Sequence, residues 1–321
     1  MSTTIARRAA DYDGHRVTVS ADDGTPISVR TFGADTAPLT VVFAHGHCLR
    51  TESWTFLRDQ LLRLWGADTR MVFYDHRGHG ESGAAHPSTY TIDQLGHDLD
   101  AVLRAIAPTG PVILIGHSMG AMVVLAYARL FPEAIGTRIV GVGLIAGAAN
   151  GITEVGLGRF LNRYAVNSLQ VAVLRAPRVM QASKRLSRRI FEPIMREATF
   201  GTRKINPRML AVATAMLNET PLLTMSSFLA SLITFDETAT LHRLGAIPAL
   251  VLAGTADIVV PFAHSVVLAS QLSGSELVRV EGAGHSVILE RAEEVALSIV
   301  ALVDRVFTTM RGEGPEYAAA G

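Results

Sequence analysis

Cysteine is almost absent from this chain of 321 residues: Cys48 stands alone. No intrachain disulfide can form, and a cysteine-rich metal site is excluded. A single thiol fits a reducing compartment, so a cytoplasmic location is the expectation. Net charge is missing too: 29 Lys+Arg balance 29 Asp+Glu, and no global field favours nucleic acid. No run approaches the length of about 18 apolar residues that a membrane-spanning helix needs. Residues 1–14 carry Arg7 and Arg8 but lack the apolar stretch of a secretory signal; they are expected to be a flexible lead. Internal repeats and low-complexity tracts are also lacking. Apolar residues, by contrast, are plentiful at 49%, with a mean hydropathy of +0.29. That suits a large buried parallel sheet; an apolar substrate tunnel or a membrane-facing surface would raise hydropathy in the same way. The length allows one large α/β domain with an insertion, or two small domains.

Two strand-like runs, 15–20 and 26–32, flank the turn signal Asp22-Asp23-Gly24 and predict an antiparallel hairpin at a sheet edge. Four continuous apolar runs follow, 39–44, 70–74, 112–115 and 139–146, as buried parallel strands require. Helical patterns at 54–64, 92–106 and 121–131 separate them. Alternation of this kind predicts a doubly wound, mostly parallel sheet with helices on both faces. It stops near Asn150, and residues 150–240 show helical periodicity with little strand character. A strand returns at 247–252, then a helix at 264–272, a strand at 276–280 and a long helix at 291–310, with 311–321 as a frayed tail. The expected organisation is therefore a core of 15–149 and 241–310 interrupted by a helical insertion.

The insertion has a charge of its own. Residues 151–210 hold 12 Lys/Arg against 3 Asp/Glu. The densest part is Lys184, Arg185, Arg188 and Arg189, interleaved with Leu186, Ile190 and Phe191. A solvated helix face explains such a run. The alternative is a surface for anionic lipid or an acidic substrate group, a peripheral membrane contact.

Chemistry concentrates in Gly116-His117-Ser118-Met119-Gly120, between a buried strand and a helix. A serine on a sharp strand-to-helix turn needs small neighbours, because the turn crowds the backbone and forces an unfavourable dihedral on the serine. The turn lifts the hydroxyl clear of the sheet, which is the nucleophile elbow. A hydroxyl becomes nucleophilic when a base takes its proton, and histidine is the usual base. Of 11 histidines, His285 is the candidate: Glu281-Gly282-Ala283-Gly284-His285 follows the last predicted strand, at the edge where sites form. Asp257, after the strand at 247–252, is the candidate to orient it. The order Ser118, Asp257, His285 is the one expected of this arrangement. An oxyanion needs donors: the N–H of Met119 is one candidate and that of His47, in His45-Gly46-His47-Cys48, the other. His45, Cys48, Leu49 and His117 are candidate pocket residues. Adjacent positions such as His45, His47 and Cys48 rarely converge on one ion, and no fourth ligand is obvious, so no metal is expected; the absence of a cofactor is what the resemblance below implies.

These features together resemble the α/β-hydrolase superfamily, in its branch of capped serine esterases, lipases and related cofactor-free hydrolases. The carriers are His45-Gly46, the segment Asp75-His76-Arg77-Gly78-His79-Gly80-Glu81-Ser82, the Gly116–Gly120 elbow, Gly254–Asp257 and Gly284-His285. The resemblance covers about residues 15–310. It implies that Asp75, Arg77, His79 and Ser82 are scaffold beside the site, and that the insertion is a cap that sets substrate choice. A serine nucleophile separates the chain from relatives that use aspartate, the epoxide hydrolases and dehalogenases. His47 departs from the resemblance, since relatives often carry glycine or a large apolar residue there; its side chain would add a donor near the acyl oxygen or narrow the pocket.

The leading expectation is a serine hydrolase acting on an ester or related acyl bond. Phe160, Leu161, Val171, Val173, Leu174, Met180, Ile190 and Phe191 suggest a hydrophobic substrate, although much of that stripe must pack the cap onto the core. Two alternatives stay open. The same residues can serve carbon–carbon bond cleavage, peracid formation, thioester cleavage or rearrangement without net hydrolysis. A ligand-binding protein could also retain this shape, though binding needs none of the three residues.

Overall fold

The computed structural model describes residues 14–65, 69–160, 163–184, 200–201 and 206–312. Eight strands among them form one sheet: β1 (His15–Ser20), β2 (Pro26–Phe32), β3 (Leu39–Ala44), β4 (Thr69–Tyr74), β5 (Val112–His117), β6 (Ile139–Ile145), β7 (Ala249–Gly254) and β8 (Ser275–Val280). Their order is β1-β2-β4-β3-β5-β6-β7-β8. The first two pairings are antiparallel, and every pairing from β4 to β8 is parallel. The long helices are α1 (Thr55–Trp65), α2 (Ile92–Ile106), α3 (Met119–Leu130), α4 (Arg163–Arg175), α5 (Pro207–Glu219), α6 (Leu222–Leu232), α7 (Phe262–Gln271) and α8 (Ala292–Met310).

The continuous apolar runs are explained by burial on both faces. Successive side chains of a strand point to opposite sides, and here each side meets a helix layer. Val42, Val72, Leu114, Leu144 and Val251 join a core with α2, α3 and α7, including Leu99, Val123 and Leu268. Their neighbours Val41, Phe43, Phe73, Ile115 and Leu252 join the opposite core with α1 and α8, including Leu61, Ile299 and Leu302. Strand β7 begins two residues later than expected because Pro248 has no N–H for the ladder. Helix α3 begins two residues earlier than expected, directly behind Ser118.

Helices α4, α5 and α6 lie between β6 and β7 in the chain, and α4 packs on α6. The two ends of this segment meet. Glu237 N–H donates to Ala149 O at 2.8 Å, and Asn150 Nδ2 to Thr238 Oγ1 at 2.6 Å. Helix α6 is seated on the core: Ile92 N–H donates to Ser231 Oγ at 3.1 Å, and buried Phe228 packs against the rings of His79 and Tyr90.

Lys184 departs from the expected solvated face. Its ammonium turns inward and donates to the carbonyls of Leu217 and Thr220 at 2.9 and 2.6 Å, closing the C-terminal end of α5. Val173 is buried, whereas Val171 and Leu174 face outward at 43% and 47% exposure, so they do not pack the segment onto the core. The Phe160 side chain, Leu161, Arg185, Leu186, Arg188, Arg189, Ile190 and Phe191 lie outside the described residues, as do 1–13 and 313–321. Among the described residues, no helix is long and apolar enough to cross a membrane.

Candidate active site

Strands β3, β5, β7 and β8 run parallel, so the loops at their carboxyl ends meet at one edge of the sheet. Ser118 follows β5 with φ 53° and ψ −117°, a left-handed setting for a residue with a side chain. Its neighbours make that turn possible. A Cβ on Gly116 would lie 2.3 Å from Gly120 O, and one on Gly120 would lie 2.0 Å from Ala44 O. The elbow is thus pressed between its own next turn and the end of β3, where only hydrogen fits.

The loop after β7 carries Asp257 and the loop after β8 carries His285. Asp257 is 4% exposed, and its Oδ1 accepts from the N–H groups of Val259 and Val260, each at 2.8 Å. Its Oδ2 lies 2.8 Å from His285 Nδ1, and His285 Nε2 lies 2.9 Å from Ser118 Oγ. A carboxylate only accepts, so Nδ1 carries the proton and Nε2 turns its lone pair to the serine hydroxyl. The structure therefore brings Ser118, His285 and Asp257 into one chain of hydrogen bonds. Such a chain can draw the proton from Oγ while Asp257 stabilises the imidazolium.

Met119 opens α3, and its amide lies in the first helical turn, where an intrahelical acceptor is lacking. The loop after β3 runs against the elbow, since a Cβ on Gly46 would lie 3.2 Å from Ser118 Cβ. His47 is on that loop. Its side chain is engaged with the helical segment: Nε2–H donates to the carbonyl of Met225, in α6, at 3.1 Å.

The four candidate pocket residues are placed as follows. His45 is fully buried and its ring is committed at both nitrogens. Nε2 accepts from His76 N–H at 3.0 Å and Nδ1–H donates to Gly46 O at 2.8 Å, while burial pushes its pKa down to about 4. His117 is also buried. Its Nε2–H donates to the main-chain carbonyl of His285 at 2.9 Å, and burial, then the nearby His285 ring, push its pKa down to about 3. Both imidazoles brace loops through main-chain partners. Cys48 is buried at φ 60°, and burial pushes its thiol up to about 12, which removes the reactive thiolate. Leu49 is partly exposed beside Gly46. Among the described residues, no group of three His, Cys, Asp or Glu could hold a metal ion.

The Asp75–Ser82 segment supports the site from below. Asp75 accepts from the N–H groups of Thr51 and Glu81 at 2.7 and 2.8 Å. Arg77, fully buried, pairs with Asp98 and Asp23. His79 Nε2 accepts from Cys48 N–H at 3.3 Å. One anchor had no sequence signal. Glu290, in a short helix after His285, accepts from Gly284 N–H at 2.8 Å and from Gly201 N–H at 3.0 Å, and so fixes the histidine loop. A surface groove of ≈ 310 Å³ between Phe56, Gln60, Met209 and Glu293 is bordered by Glu290 but includes none of Ser118, Asp257 and His285.

A model of the alpha/beta hydrolase family matches residues 41–297. A proline iminopeptidase of Pestalotiopsis fici is 26% identical over 86% of this chain and 95% of its own length. A monoacylglycerol lipase of Mycolicibacterium smegmatis is 30% identical over 50% of this chain and 60% of its own. Among solved structures, a thermophilic esterase from Thermogutta terrifontis superposes with a TM-score of 0.73 at 22% identity, covering 91% of this chain and 99% of that one.

Proposed function

This chain belongs to the alpha/beta hydrolase family, and from that premise we propose that it is a serine hydrolase cleaving an ester or related acyl bond of a hydrophobic small molecule. The observation that carries the reading is the hydrogen-bonded series Ser118 Oγ, His285 Nε2, His285 Nδ1 and Asp257 Oδ2, at 2.9 and 2.8 Å. Ser118 Oγ attacks the acyl carbon as His285 Nε2 takes its proton. Asp257 holds Nδ1–H and stabilises the imidazolium. The amides of Met119 and His47 hold the oxyanion. The tetrahedral species collapses, the leaving oxygen takes the proton from Nε2, and Ser118 keeps the acyl group. Water, deprotonated by His285, then releases the acid and restores the serine.

In this reading the segment carrying α4, α5 and α6 is a cap over the site, and it sets substrate choice. Similarity to a lipase and an esterase supports an oxygen ester. Similarity to an iminopeptidase over nearly its whole length supports an amide as the other acyl bond to test, since the same chemistry serves both.

The test is hydrolysis of p-nitrophenyl esters from acetate to palmitate and of proline β-naphthylamide, with Ser118→Ala as control and a fluorophosphonate as probe of the serine. Turnover lost in the variant supports the reading, and the preferred chain length sizes the pocket. Labelling of Ser118 without hydrolysis of any acyl substrate would move the reaction to carbon–carbon bonds or rearrangements. Absence of both labelling and turnover in the folded protein would overturn the reading.

A further inference from the structure

The loop that follows β3 touches the helical segment at three of its four residues from 47 to 50. His47 Nε2–H donates to Met225 O, in α6, at 3.1 Å. Cys48 O accepts from Thr220 Oγ1, between α5 and α6, at 3.4 Å. Arg50 pairs with Glu219 at the end of α5. On its other side the same loop is held by the core, through Cys48 N–H on His79 Nε2 at 3.3 Å and Thr51 N–H on Asp75 Oδ1 at 2.7 Å. The loop is therefore strung between the two layers, and the junction of α5 and α6 is one of its two supports.

We propose that His47 is a positioning residue for the reaction: its imidazole ties the oxyanion amide of the same residue to helix α6. This rests on the hydrolase reading above. A main-chain amide at a loop tip binds an oxyanion well only when its direction is fixed in advance. The ring spans the distance to Met225 O in α6, and a ring with two rotatable bonds makes a stiff strut. Turnover thereby depends on the seating of α6: movement of that helix off the core releases the strut and misdirects the donor. An oxyanion donor contributes on the order of 10²–10³ in kcat, and a displacement of about 1 Å is enough for 10².

The experiment compares His47→Gln, His47→Asn and His47→Phe. The glutamine amide reaches as far as Nε2 and can donate to Met225 O; the asparagine amide reaches only as far as Nδ1; phenylalanine keeps the ring and lacks the donor. Expected with p-nitrophenyl acetate is a fall in kcat of about 10–100-fold for Asn and Phe, with KM changed less than about threefold and Gln within about threefold of the parent. The pH dependence of kcat/KM stays that of the parent, because the Ser118–His285–Asp257 series is untouched. Hydrogen exchange in residues 222–232 accelerates in Asn and Phe and not in Gln. The proposal is overturned if Phe retains full kcat, if Gln falls as far as Phe, or if only KM moves. A parent whose ester turnover survives Ser118→Ala would instead sink the hydrolase reading. In that event unchanged exchange in His47→Phe would still refute the tether, and accelerated exchange would still establish it.

Discussion

Replacing Asp257 by asparagine should cost more than a charge, because two backbone amides decide which way the new side chain faces. Oδ1 of Asp257 accepts from Val259 and Val260 N–H, each at 2.8 Å. An asparagine keeps its carbonyl oxygen there, since its NH2 group would oppose two donors. The NH2 group is then turned to His285 Nδ1, where Oδ2 now sits at 2.8 Å. Facing a donor, Nδ1 must become the acceptor, and the ring proton moves to Nε2. Ser118 Oγ then meets an N–H instead of a lone pair and keeps its proton. A tautomer reversal of this kind in a serine protease lowers kcat by about 10⁴, which is about 5 kcal/mol of transition-state stabilisation. Two charge-assisted bonds to amides also become neutral, at about 1 kcal/mol each, or about 2 kcal/mol of stability in all. The assay is kcat on the best ester together with urea unfolding. A folded Asp257→Asn protein with kcat within tenfold of the parent would refute this reasoning about orientation.

Gly120→Ala puts a methyl 2.0 Å from Ala44 O; α3 and β3 must part by about 1 Å, so kcat should fall about 10²-fold and stability by about 1–3 kcal/mol, and a parental melting curve and kcat would contradict the close approach. His117 is neutral in the folded protein down to about pH 3 but takes a proton from about pH 6.5 downward when unfolded. Its contribution is therefore present above pH 6.5 and lost as pH falls toward 3. Below pH 6 the stability difference between the parent and His117→Phe should shift toward the variant by about 1.4 kcal/mol per pH unit, whereas a difference that ignores pH, measured by urea titration, would show the imidazole to be solvated. Asp98 and Arg77 are both fully buried and paired, and Asp98→Ala leaves the guanidinium with Asp23 as its remaining carboxylate, so the variant should destabilise by about 3 kcal/mol; a melting temperature within a degree of the parent would argue against a dry pair.

The strands were legible because parallel strands covered on both faces leave unbroken apolar runs, and 39–44 and 112–115 are such runs. Ser118, Asp257 and His285 were legible as candidates for a related reason. Each stands directly behind a strand, where chain order alone puts it at the carboxyl edge. The braces were not. His117, His45 and His47 look alike in sequence as polar residues near a site, yet each ring is turned to a carbonyl or amide far away in the chain: His285, His76 and Met225. Glu290 was missed likewise, because its partner Gly284 donates through the main chain and leaves no side-chain signature. Lys184 carried the opposite error: a basic run reads as a solvated face, but three carbonyls around 217–220 collect at a helix end and draw the ammonium inward.

The two ends of the helical segment touch, with Ala149 bonded to Glu237 and Asn150 to Thr238. Ser118, Asp257 and His285 all lie outside the span they enclose. The chain-entropy cost of holding the ends of such a stretch together grows only with the logarithm of its length, about 0.6 kcal/mol per doubling. The stretch can be exchanged for a longer, shorter or differently shaped one while the sheet on either side keeps its register. The bond from Glu237 N–H to Ala149 O thus works like a socket in a tool handle. On the proposed reading of that segment as a cap, a chimaera spliced at 149 and 238 is the unit with which to test whether specificity travels with it.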